Sequence, residues 1–148
     1  MGIRKADVIK KLKFVVTLFF IAYFLNLVWE NVQKPLFTGF EAFWKSGLTC
    51  YSAAFGDALI ILGIYFLIAL MRGKYYWFRI RTKDEIVLLL IFGFIVAVLF
   101  EKFALATGRW GYAASMPVVP FLNVGIIPIL QMLILPFFSI KITNKIIN

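Results

Sequence analysis

The sequence contains no histidine and a single cysteine, Cys50, in 148 residues. Without histidine there is no imidazole to ligate haem, most zinc sites are lost, and no Ser-His or Cys-His nucleophile can be assembled. A lone cysteine excludes an internal disulfide and any CxxC redox pair. Acids are also scarce, with seven Asp and Glu against sixteen Lys and Arg. No metal-binding or nucleotide-binding motif occurs, so the expectation is a protein with no metal and no cofactor.

Apolar side chains are what the chain has in excess. Hydrophobic residues make up 63% of it, and its mean hydropathy is +0.93. A soluble globule of this size leaves too much surface exposed to hide so much apolar material. A bilayer supplies the missing burial. A spanning helix needs about 20 mostly apolar residues. Four windows qualify: Lys13 to Gln33, Ser52 to Met71, Ile86 to Leu105 and Phe121 to Ile140. The runs are continuous rather than alternating, which predicts helices and not a barrel. The expected architecture is all-α: one transmembrane domain over residues 1–148, a four-helix bundle. The first span follows a basic segment like that of a signal peptide. It has no small-x-small cleavage site, so it is expected to remain as an anchor.

The formal charge of +9 is read as orienting the chain against anionic headgroups, not as binding nucleic acid, because the basic residues cluster at span ends. Arg4, Lys5, Lys10, Lys11 and Lys13 precede the first span. Arg72, Lys74, Arg79, Arg81 and Lys83 lie between the second and third, and Lys141 and Lys145 lie in the tail. The opposite side keeps only Lys34, Lys45, Lys102 and Arg109. This bias predicts a multi-pass protein of a bacterial-type cell membrane with both termini cytoplasmic. Phe37, Phe40, Phe43, Trp44 and Leu48 recur at helical spacing, which predicts a short interfacial helix over Lys34 to Leu48. Tyr75, Tyr76, Trp77 and Phe78 form an expected inner aromatic belt. Pro128, read as lying inside the fourth span, is expected to kink it, and Pro136 to bend it again.

The chemically informative residues are acids in apolar spans. Glu30, Asp57 and Glu101 each lie about one turn from the outer end of a span, which at ~1.5 Å of rise per residue places them at a common depth. On the third span Gly93, Ala97, Glu101, Ala104 and Gly108 share a small-residue face that permits close helix approach. On the first, Ala22, Asn26, Trp29, Glu30 and Gln33 share a face; Gln131 sits mid-way along the fourth, and Asn123 opens it. Each acid at mid-bilayer costs about 2.5–3.5 kcal/mol on insertion scales. Two readings follow. The acids pair with Lys102 and Arg109 and fix helix register, or they form a polar pocket in which one carboxyl keeps its proton and general acid–base chemistry is available. Gly108, Trp110 and Tyr112 then mark either an interfacial belt or a wall of that pocket.

Glu101, followed by Gly108-Arg-Trp-Gly-Tyr112 and then Pro128-Ile-Leu-Gln131, resembles a pattern in the lycopene cyclase domain family of carotenoid-pathway membrane proteins. The similarity covers roughly a quarter of the chain. The family's proline is typically followed by a Pro-x-Glu-Glu pattern, where this sequence has Leu130 and Gln131. The resemblance implies an isoprenoid ligand. Three functions are open at this point. In a lipid or isoprenoid enzyme, Glu101, Glu30 and Asp57 would transfer protons. Asn26, Gln33, Tyr112, Asn123 and Gln131 would orient the substrate, Lys102 and Arg109 would complete the site, and Trp29 and Trp110 would face a developing cation. In a transporter, a homo-oligomer would share a proton or cation path. In a non-catalytic scaffold, the acids would matter only for stability.

Overall fold

The computed structural model describes residues 5–39, 49–73 and 82–147. Four helices carry the fold: α1 (Lys5–Gln33), α2 (Thr49–Met71), α3 (Lys83–Ala106) and α4 (Ile126–Ile147). All four are long and apolar enough to cross a membrane, and together they form an all-α multi-pass bundle. Large apolar side chains such as Phe20, Phe24 and Leu99 stand on its outer surface, as they would against lipid. α1 packs against α2 and α4, and α4 packs against α3. The seam between α2 and α3 is the least packed of the four.

One end of the bundle carries the start of α1 and the end of α4, where Ile9, Lys10 and Lys13 meet Ile146 and Ile147. Here α3 begins with a capping box: Thr82 accepts from the Glu85 amide, and the Glu85 side chain accepts from the Thr82 amide. Arg72 reaches the Thr82 hydroxyl at 3.0 Å and pairs with Asp84 at 3.5 Å. Phe14, Leu18, Ile64, Tyr65, Ile68, Leu89 and Ile140 fill the core of this half.

At the other end the connections are short and extended. β1 (Phe37–Thr38) pairs antiparallel with β2 (Gly111–Tyr112), in register Phe37 with Tyr112. β3 (Val118–Val119) pairs with β4 (Val124–Gly125) through a tight turn in which Asn123 adopts φ 52°. α3 is closed by Gly108 at φ 65°. The Gly108 amide reaches the Leu105 carbonyl, and the Arg109 amide reaches that of Ala104. This is a Schellman closure, which favours glycine at the left-handed position.

Several sequence expectations are corrected here. The fourth helix starts at Ile126 rather than Phe121, because residues 118–125 form the β3–β4 hairpin. Asn123 therefore turns the hairpin and does not open the helix. Pro128 becomes the third helical residue, where its missing N–H has no helical partner to lose, so it starts α4 rather than kinking it. Pro136 is the proline inside the helix. Gly108 ends α3 and is exposed, so the buried small-residue face consists of Gly93, Ala97 and Ala104 with Glu101. Lys34–Leu36 forms a single 3-10 turn followed by β1 instead of the start of an interfacial helix. The remainder of that segment, and the belt of Tyr75, Tyr76, Trp77 and Phe78, lie outside the described residues.

The α3–α4 contact depends on Gly93, where a Cβ would collide with the Met132 carbonyl. Gly93→Ala is expected to cost about 1–3 kcal/mol in unfolding from mixed micelles, as overpacking does. Gly63→Ala, where a Cβ meets nothing within 4 Å, is expected to be neutral or slightly stabilising in the same assay.

Candidate functional site

Glu30, Asp57 and Glu101 line one cavity of about 380 Å³ at the β-strand end of the bundle. Ile60, Val96, Phe100 and Met132 supply apolar wall, and Lys34, Arg109 and Trp110 also border it. Each acid reaches the cavity from a different helix: α1, α2 and α3.

The fourth helix supplies the group that joins two of them. The Gln131 side-chain amide donates to Asn26 Oδ1 at 2.9 Å, Glu30 Oε1 at 2.9 Å and Asp57 Oδ2 at 3.0 Å. Gln33 Nε2 donates to Glu30 Oε1 at 2.8 Å and to Gln131 Oε1 at 3.0 Å. Trp29 Nε1 in turn donates to Gln33 Oε1 at 3.1 Å, and Asn26 Nδ2 is anchored on the Ala22 carbonyl at 2.8 Å. Asn26, Gln33 and Gln131 are all buried, so their orientations are fixed by these bonds. The Gln131 amide has two hydrogens and three acceptors within reach. Glu30 and Asp57 thus accept from one and the same nitrogen, that of Gln131.

Glu101 is held differently. Its Oε2 accepts from the Tyr112 hydroxyl at 2.5 Å and from Trp110 Nε1 at 3.4 Å. Tyr112 itself accepts from the Gly125 amide at 2.9 Å, so β4 fixes the phenol and the phenol fixes Glu101. Phe37 packs edge-on against both Tyr112 and Trp110, which ties β1 to this support. Burial first, and then the bond to Glu101, push the Tyr112 phenol above its ordinary range.

The residues singled out from sequence fall into three groups. Glu30, Gln33, Asp57, Glu101, Arg109, Trp110 and Gln131 border the cavity. Asn26, Trp29 and Tyr112 stand behind it and hold its acids or amides in place. Lys102 and Asn123 border nothing in the site. Lys102 is adjacent in sequence to Glu101 but lies on the other face of α3. Asn123 lies on the hairpin turn. Neither Lys102 nor Arg109 forms an ion pair with the three acids among the described residues; Arg109 stands over the Phe103 ring at 5.1 Å. Of the two readings, the pairing of the acids with these two cations does not occur among the described residues; amide, phenol and indole groups donate to the acids instead. Trp29, expected to face a developing cation, is occupied with Gln33 and does not border the cavity. Ala53 and Ile60, expected to share a face with Asp57, join the walls with it, and Gly56, Val96 and Phe100 join them without having been singled out by any motif. Their only sequence signal is that Gly56 and Phe100 are next to Asp57 and Glu101 and that Val96 is five residues before Glu101.

In comparisons with known proteins, no family model, no curated protein and no solved structure matches the chain.

Gln131→Leu keeps the shape but removes the donor shared by Glu30 and Asp57. It is expected to cost about 1–3 kcal/mol of stability in micelles, the penalty for stranding buried polar groups. A change within a few tenths of a kcal/mol would show the network to be slack. Tyr112 has a raised pKa, so its support of Glu101 is complete below the ordinary tyrosine pKa of about 10 and is lost only as pH climbs beyond it. In an ultraviolet titration of tyrosinate, Tyr112→Phe is expected to remove a late-ionising component and leave the early ones in place.

Proposed function

We propose that this chain is a cell-membrane protein of bacterial type, with both termini cytoplasmic, that binds a lipid and acts on it by proton transfer. The observation that carries this reading is the convergence of Glu30, Asp57 and Glu101 on one cavity with otherwise largely apolar walls. Carboxyl groups inside a membrane are costly and by default mark function. A pocket with apolar walls and a few converging polar groups is the usual form of a small-molecule site.

The two supports suit different roles. Glu101 has one oxygen engaged by Tyr112 and Trp110. Its other oxygen accepts no hydrogen bond among the described residues, and it is available to take a proton from a bound molecule or to return one. Glu30 and Asp57, joined by Gln131, form a second station at which a proton is shared. A substrate between them exchanges one proton with each station, which is the requirement of an isomerisation or cyclisation of a double bond. The apolar walls suit a hydrocarbon, and the Trp110 indole borders the place where positive charge would develop. The resemblance to the lycopene cyclase domain family points to an isoprenoid as the ligand. Leu130 and Gln131, in place of that family's glutamates, put the acid chemistry on Glu101 and on the Glu30–Asp57 pair.

Mass spectrometry of the lipid that co-purifies is expected to find one species strongly enriched over the host membrane. Glu101→Gln is expected to retain that species and an unchanged unfolding transition while losing its conversion by about 100-fold or more. Bulk phospholipid in host proportions, or full conversion by Glu101→Gln, would overturn the reading.

A further inference from the structure

The cavity lies against the least packed seam of the bundle, and the packing of that seam differs along its length. Toward the end carrying the chain termini, Leu89 of α3 packs in one core with Ile64, Tyr65 and Ile68 of α2 and closes it. Toward the site the facing residues shrink. α2 presents Ser52, Ala53 and Gly56, and α3 presents Ala97 between Val96 and Phe100. A Cβ placed on Gly56 meets nothing within 4 Å, so the backbone there borders open space. Phe100 of α3 is exposed on the outer surface while also lining the cavity opposite Gly56, so the cavity reaches the surface along the seam of the two helices. In a membrane that surface faces hydrocarbon.

We propose that a hydrocarbon chain of a membrane lipid enters the carboxylate cavity sideways, through a portal between α2 and α3 bounded by Gly56, Ile60, Val96 and Phe100. The occupant is a chain still continuous with the bilayer. The apolar rim matches methylene groups, and an entry from the side spares the chain a passage through water. Gly56 is the specificity element of this rim, because a bulky side chain there narrows the slot. Gly56 sets the width and Phe100 stands at the outer lip. The inference rests on the reading of the cavity as a lipid site and adds its entrance.

The test uses the full chain in lipid nanodiscs containing a phosphatidylcholine with a diazirine on one acyl chain. Adducts are mapped by mass spectrometry after illumination. In the unmodified protein, adducts are expected on Ala97 and Met132 inside the cavity and on Phe24 and Leu99 at the lipid-facing surface. Gly56→Trp and, independently, Val96→Trp are expected to lower the cavity adducts about tenfold and leave the surface adducts unchanged. Gly63→Ala, outside the cavity lining and with room for its Cβ, is expected to label like the unmodified chain. Cavity adducts that persist in both tryptophan variants would remove this entrance while leaving lipid in the cavity. Cavity adducts missing from the unmodified protein would remove the lipid reading itself. Surface adducts that fall together with the cavity adducts would reveal misfolding of that variant, and the other tryptophan variant then decides.

Discussion

The carboxamide of Gln131 ties three helices together at the level of the cavity. Its nitrogen, on α4, lies within hydrogen-bonding distance of Asn26 and Glu30 on α1 and of Asp57 on α2. An amide suits this position better than a cation. It donates to two acids without bringing a third charge out of water, and a buried ion pair regains its desolvation cost only when every remaining lone pair is satisfied. Its carbonyl oxygen is also used, accepting from Gln33, so both ends of the side chain are fixed. With two hydrogens for three acceptors, its nitrogen cannot serve Asn26, Glu30 and Asp57 all at once.

The opposite wall uses another solution. Glu101 receives aromatic donors from the segment after α3, and the short strands make that possible. The Schellman closure at Gly108 turns the chain so that Trp110 and Tyr112 come back toward Glu101. The β3–β4 hairpin delivers the Gly125 amide to the phenol. Two acids on one side are thus held by amides within the helical bundle, and one on the other side is held by loop aromatics. Arg109 borders the cavity but lies over Phe103 instead of neutralising an acid. Carboxyl groups with two different kinds of support face a common space.

The helices are legible in the sequence because an apolar run of spanning length fits little besides a membrane-crossing helix. The buried face of α3 is legible because Gly93, Ala97, Glu101 and Ala104 repeat at one-turn spacing. The start of α4 is not. Val118, Val119, Phe121, Leu122 and Val124 are as apolar as a helix turn, and hydropathy does not separate a short hairpin from the first turns of a span. Pro128 reads as a kink for the same reason. The partners of the acids are illegible on other grounds. Lys102 is next to Glu101 in sequence, but adjacent residues on a helix point about 100° apart. Gln33 is three residues from Glu30, and Trp110 and Tyr112 are nine and eleven from Glu101, but the donor that joins two acids comes from far along the chain, 74 residues separating Gln131 from Asp57 and 101 separating it from Glu30. No local pattern encodes such pairings.

The composition of the chain allows the central contact to be observed directly. It has only two glutamines, Gln33 and Gln131, and three aspartates, Asp7, Asp57 and Asp84. Asp84 is engaged by Arg72 at the far end of the bundle. In protein labelled with side-chain nitrogen-15 glutamine and carboxyl carbon-13 aspartate, reconstituted in lipid, solid-state dipolar recoupling reports that one pair. The account predicts a coupling between atoms one hydrogen bond apart that vanishes in Gln131→Leu. No coupling in the unmodified protein, or one that survives Gln131→Leu, would contradict it.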